Sequence, residues 1–261
     1  ALLVAFVFWE RHLVRSNGVT LVDLSLFSIR RYGFGNIVAL VVSLGEFGIL
    51  FALPLWMQSV HGTSPLTTGV ILATLAIGTL ISGGAARHVA AAIGPTRTVR
   101  LGMLLEVAGI AGIGLTLSVD RSPWWLVIAL IIYGLGLGFA SAQLTNVVLE
   151  DVPPELSGGA SAMTSTFRQV GSALGAAILG SVLFGSLASI FAADLERDGS
   201  LSAQEQQQVV DQVERTAGQA IVELEQRPGM TEVTMEAKSA YTSAAQVTAA
   251  VHYWVDRDEL A

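Results

Sequence analysis

The sequence predicts an all-α fold, a polytopic membrane helix bundle, and three observations carry that prediction. The 261 residues are 52% hydrophobic and only 13% charged, whereas a soluble domain carries about 25% charged residues. The charges are segregated: they are sparse from Asn36 to Phe191 and dense from Asp194 to Lys238. The apolar stretches between them are near the roughly 20 residues that a helix needs to cross about 30 Å of hydrocarbon. Together they give a mean hydropathy of +0.61.

Taken in order, residues 1–8 form an apolar run, Ala1 to Phe8, with no initiator Met. It lacks the basic start and small-residue cleavage site of a signal peptide, and is expected to be the end of a transmembrane helix. Residues 9–35 read as a loop. Residues 36–193 hold five spans. Asn36–Met57 contains Glu46 as its one charge, Thr68–Ala86 has none, Leu101–Val119 contains Glu106, and Trp124–Leu149 has none. The fifth span runs from about Ser161 to Phe191, with Arg168 near its start. At 1.5 Å per residue it is about 46 Å long, more than the hydrocarbon requires. Arg168 is therefore expected near one interface or facing a polar cavity. Pro54 is expected to kink the first full span.

Residues 194–240 read as an acidic loop, with ten acids and four bases between Asp194 and Lys238. Within it Val209, Val213, Ala217, Ala220, Ile221 and Leu224 fall near helical spacing. A short amphipathic helix and a solvated loop are both compatible with that composition. Residues 241–261 are expected to be an incomplete last helix and tail, because the moderately apolar Tyr241–Val255 is too short to span. The chain thus reads as beginning and ending within incomplete helices.

Loop charge sets the expected orientation. Glu10–Gly35 carries Arg11, Arg15, Arg30 and Arg31, and Arg87–Arg100 carries Arg87, Arg97 and Arg100. The alternate short loops, Gln58–Thr67 and Asp120–Pro123, hold only Arg121. The positive-inside rule places the first pair in the cytoplasm and the acidic loop outside. Glu150–Glu155 is acidic and follows by alternation alone.

Several function classes are excluded. There is no cysteine, hence no disulfide or thiolate metal site. His12, His61, His88 and His252 have no metal-ligand spacing. No nucleophile elbow and no phosphate-binding loop occurs, so no cofactor and no enzymatic activity are expected. Nothing resembles a basic nucleic-acid face. Gly134, Gly136 and Gly138 form a G-x-G-x-G string, but no strand precedes it. A thinned, closely packed helix is the reading there.

The remaining candidates are polar groups inside spans. Glu46 sits about 15 Å into its span by helical rise, where a carboxylate is costly. It is a proton-coupling or cation-sensing candidate, or a protonated Glu bonded to a neighbouring helix. Glu106 is a second proton-coupling candidate, or an interface partner of Arg97 and Arg100. Gln58, Gln143, Asn146, Arg168 and Gln169 are candidates for a substrate path or for interhelical hydrogen bonds. Gly171 and Gly175 make a G-x-x-x-G pair suited to close helix approach.

The segments "WER", "PLWMQSVHGTSPLTTGV", "GLGLGFASAQLTN" and "FRQVGSALGAAILGSVL" resemble the C-terminal half of the fourteen-span drug:proton antiporters of the major facilitator superfamily, EmrB/QacA type. The likeness runs from Trp9 to about Phe191. The R-Q-x-G-x-x-x-G run from Arg168 to Gly175 is its most specific part. The resemblance implies the end of span 8, spans 9 to 13 and the start of span 14. It also implies proton-coupled multidrug efflux from the cell through the inner (plasma) membrane by alternating access. The partners it implies are a missing N-terminal half, a small apolar or cationic substrate, protons and the lipid bilayer. The superfamily's loop motif resembles G-x-x-x-D-R-x-G-R-R. Gly84–Arg100 keeps Gly84, Gly94, Pro95 and Arg97 but has no Asp. The rival reading is a non-transporting membrane fragment or assembly partner, from a split or truncated gene.

Overall fold

The computed structural model describes the backbone of residues 24–198 and 201–258. The helix end expected at 1–8, and the loop up to residue 23, lie outside the described residues. A short 3-10 turn, Leu24–Ser28, precedes five long helices: α1 (Arg30–His61), α2 (Pro65–Ile93), α3 (Pro95–Thr116), α4 (Leu126–Leu149) and α5 (Ser157–Asp198). Each is long and apolar enough to cross a membrane, α4 and α5 together with the short turns that lead into them. Two short helices follow, α6 (Ala203–Arg215) and α7 (Ala220–Glu225), and then α8 (Thr231–Asp258).

Local chemistry sets the helix ends. α1 stops at Gly62, which adopts φ 60° and donates its N–H to Met57 O, the left-handed stop that glycine takes without a Cβ penalty. Ser64 then caps α2, its hydroxyl accepting from Thr67 N at 3.2 Å, with Pro65 at the first helical position, where its missing N–H costs nothing. The stretch read as an Arg87–Arg100 loop is almost wholly helical. Only Gly94, at φ 93°, separates α2 from α3, and Pro95 restarts the chain. α1 runs unbroken through Pro54.

Glycines decide which helices meet. On α4 they alternate between two neighbours. A Cβ on Gly134 would strike Leu75 O and one on Gly138 would strike Ser82 Oγ, both on α2. One on Gly136 would come within 2.5 Å of Glu106 N on α3. Positions 134 and 138 share a helix face while 136 lies across from them, so α4 is wedged between α2 and α3. On α5, Gly171 and Gly175 would strike Leu40 O and Leu44 O of α1. These pairs rise together along both chains, so α1 and α5 are parallel, as are α2 and α4. Gly102 meets Ala140 and Gly109 meets Tyr133, which makes α3 antiparallel to α4. Successive long helices therefore alternate in direction.

The last third of the chain is more ordered than its composition suggests. α8 starts at Thr231, ahead of the expected boundary at 241. Its alanines Ala237, Ala240, Ala244 and Ala245 are buried among α1, α3 and α5. Trp56 Nε1 donates to Thr242 Oγ1 at 3.1 Å, and Gln246 Nε2 to Leu117 O at 2.9 Å. α6 opens with a capping box between Ser202 and Glu205. Val209, Val213, Ala220, Ile221 and Leu224 are all buried in the same core as Trp56, Phe191 and Tyr241. The amphipathic reading of this stretch is the one that describes it. The helix breaks at Ala217 and Gly218, both at positive φ, where Tyr241 donates its hydroxyl to Ala217 O at 3.2 Å. The segment is a cap on the ends of α1, α5 and α8.

At the opposite end, Arg31 reaches Glu150 at 2.9 Å and Asp151 at 3.4 Å. The acidic α4–α5 connection, anomalous by charge count, thus lies beside a basic residue of α1.

Candidate functional site: a charged pocket between α1 and α5

Glu46 lies at the midpoint of the 32-residue α1. Three residues earlier on the same face is Ser43. Opposite them α5 presents Ser165, Arg168, Gln169 and Ser172, at spacings of three to four residues that keep them on one helical face. With Phe47 these residues line an open cavity of about 350 Å³. The cavity lies beside the crossing where Gly171 and Gly175 admit the backbone of α1. Close approach of the two helices is what brings carboxylate and guanidinium into one pocket.

Glu46 Oε2 is buried and has no hydrogen-bond partner. The ion pairs among the described residues lie elsewhere, at Arg31, Arg197, Arg215 and Lys238. Glu46 and Arg168 therefore line one cavity without forming an ion pair. Phe47, which lines the cavity, is itself exposed, so the pocket opens on a face that the described helices leave uncovered.

The structure separates the other candidates from this pocket. Glu106 is 2% exposed and sits in mid-helix against Gly136. It is not at a helix end beside Arg97 and Arg100, because α3 starts at Pro95 and Glu106 is already near its middle. Gln143 is buried on α4, and Asn146 donates to it at 3.5 Å within the same helix. Gln58 lies near the capped end of α1. Of the polar candidates, Glu46, Arg168 and Gln169 are the ones that line this pocket. Sequence reasoning missed Ser43, Ser165 and Ser172, since small hydroxyls in apolar helices stand out little. Their placement three or four residues from Glu46 and Arg168 is the signal that finds them.

Fold and pocket together define a class: a multi-pass helical membrane protein with opposite charges facing a cavity between two of its spans. The family model of the Major Facilitator Superfamily matches residues 1–176, and the chain belongs to that superfamily, whose members are transporters and not enzymes. Among its relatives, the probable actinorhodin transporter of Streptomyces coelicolor is 34% identical over 213 residues, 78% of this chain and 36% of that protein. The tetracenomycin C resistance and export protein of Streptomyces glaucescens is 29% identical, covering 66% of this chain and 32% of that protein. The multidrug resistance protein Stp of Mycobacterium tuberculosis is 29% identical, covering 74% and 35%. The chain spans about a third of the length of these curated relatives.

Proposed function

We propose that this chain forms one membrane half of a proton-coupled multidrug antiporter that exports small apolar or cationic compounds across the inner (plasma) membrane. The observation that carries the reading is the mid-helix pocket holding Glu46 and Arg168 on an uncovered face. A charged side chain at the bilayer centre costs about 2.5–3.5 kcal/mol even on the mildest scales. That face therefore belongs against protein or a water-filled cavity rather than lipid. A second six-helix half, contributed by the rest of a transporter of the relatives' length, would cover it. Substrate would then bind between halves that rock about a midplane site. The names of the relatives, which include export and multidrug resistance, support the direction of transport. The basic ends of α1, α2 and α3 face the cytoplasm in this reading, and the cap faces out.

Within it, Glu46 exchanges a proton with water as the cavity opens to each side, and Arg168 offers a counter-charge to the carboxylate or to a bound anion. Glu46→Gln keeps the shape and removes the titration. In the full gene product that carries this chain, dye efflux by Glu46→Gln should lose its dependence on pH. Glu106→Gln, whose side chain is enclosed between α3 and α4, should keep it. An unchanged pH profile in Glu46→Gln would place proton coupling outside this chain.

A further inference from the structure

The approach to α4 carries the one pair of adjacent tryptophans in the chain, Trp124 and Trp125. They lie in the 3-10 turn Pro123–Trp125 that leads into the helix, where Trp125 donates its backbone N–H to Ser122 O at 3.2 Å. Trp124 is 54% and Trp125 60% exposed. Among the described residues, neither indole N–H donates a hydrogen bond. A large aromatic ring with an unused donor suits surroundings that are apolar at one end and wet at the other.

The glycine contacts give the level of this pair on the neighbouring helices. Gly134 meets Leu75 on the parallel α2, so the same nine-residue step back along each helix sets Trp125 level with Leu66. Gly109 meets Tyr133 on the antiparallel α3, and the equivalent step sets Trp125 level with Leu117. On one side of that level lie Ser64 before α2 and Ser118, Asp120 and Arg121 before α4. On the other side lie Leu115 and Ile128, both exposed and apolar, Leu115 at 79%. The tryptophans therefore stand where exposed apolar surface gives way to polar chain.

The far boundary agrees with this level. Arg87 is the first charge along α2 from Leu66, and Arg97 lies near the far end of α3 from Leu117. Each is about 30 Å away at 1.5 Å per residue, which is the thickness of the hydrocarbon. Arg100 lies one turn nearer, within the reach of a side chain that can snorkel to the surface.

We infer that Trp124 and Trp125 anchor the group α2, α3 and α4 in the bilayer interface opposite Arg87 and Arg97. Their rings lie at the depth of the lipid ester carbonyls, and their N–H groups donate to those carbonyls. Amphipathic indole rings favour that depth at either face of a membrane. The rings are neutral, so the anchor asks for the ester-linked interface and not for a headgroup of a particular charge. It uses none of the residues of the α1–α5 pocket and does not depend on the transport reading.

The test places the full gene product that carries this chain in nanodiscs of phosphatidylcholine brominated either just below the headgroup or near the chain ends. The signal is the fluorescence that the variant W124F/W125F removes from the parent protein. That difference should lose most of its intensity to the shallow bromines and little to the deep ones. Stronger quenching by the deep bromines would overturn the inference. So would a difference that neither lipid quenches, which would place the pair in water or against the rest of the protein. If the double variant does not fold, W124F and W125F are read singly, and the absence of the shallow pattern from both would overturn the anchor.

Discussion

The helices sort into two groups that solve the packing problem differently. In the first, α2, α3 and α4 meet backbone to backbone. Gly78, Gly102, Gly109, Gly134, Gly136 and Gly138 each sit where a neighbouring main chain leaves no room for a Cβ. In the second, α1 and α5 meet at Gly171 and Gly175 and hold a charged cavity beside that crossing. This group is tied at one end by α8 and the α6–α7 cap. The first group encloses its one carboxylate, Glu106, and the second exposes Glu46 to a pocket. A membrane helix pair cannot gain by hiding apolar surface from water, so contact rests on close fit. Where the fit is complete the helices are fixed, and where it opens a polar site becomes possible.

Overfilling the tight group is the strongest way to break this comparison. Gly134→Leu forces a side chain into the α2 backbone, where no flexible group can yield. It should cost at least about 3 kcal/mol, the upper range for overpacking, and should leave little folded protein by size-exclusion chromatography. Gly180→Leu in the second group meets only the Phe51 ring, which can move, and should be tolerated. Equal yields of the two variants would show that the groups do not differ in tightness.

The cap offers a smaller, local effect. Ile221 is fully buried within an otherwise polar segment. Ile221→Asp loses its apolar burial, worth about 1.5–3 kcal/mol, and adds a desolvated charge. Hydrogen exchange should then accelerate across α6 and α7 while α2, α3 and α4 keep their protection. Loss of protection throughout would mean that cap and bundle form one cooperative unit.

The smallest expected effect sharpens how the second group ends. Glu236 of α8 faces a cavity of about 560 Å³ shared with Asp194, Arg197 and Asp198 of α5, and its Oε2 is buried without a partner. Burial first, then Asp198, Asp194 and Glu232, push its carboxyl above the ordinary glutamate value. A carboxyl raised in the folded state holds its proton more tightly there than in the unfolded chain. The stability it contributes is complete below the ordinary value of about 4.3 and is lost as pH rises through the folded value. Glu236→Gln should therefore raise the midpoint of thermal unfolding slightly at neutral pH and leave it unchanged at pH 4. A decrease at neutral pH would show that the ionised carboxylate is stabilising.

The five spans were legible because each is a long run with at most one or two charges, and hydrocarbon tolerates little else. Their ends were less so. Arg87 and Arg97 look like loop residues by charge, yet a helix satisfies its own backbone and can carry arginines beyond the hydrocarbon without unwinding. The boundary at 241 failed for a related reason. α8 is rich in Ala, Thr and Ser, so its mean apolarity is low even though Ala237, Ala240, Ala244 and Ala245 are buried.

The sequence by itself determined the class of fold, the alternation of spans, the close-packing glycines and the isolated charges. These follow from local composition and from the period of the helix. The tertiary structure alone decided that Glu46 shares a cavity with Arg168 while Glu106 is shut between α3 and α4. It also decided that Val213 and Ile221 cap the bundle, and that Arg31 finds acids while, among the described residues, Arg87, Arg97 and Arg100 pair with none. Each of these pairings joins residues far apart along the chain. Their distance is set by which glycine-lined faces fit together, and no local pattern encodes that choice.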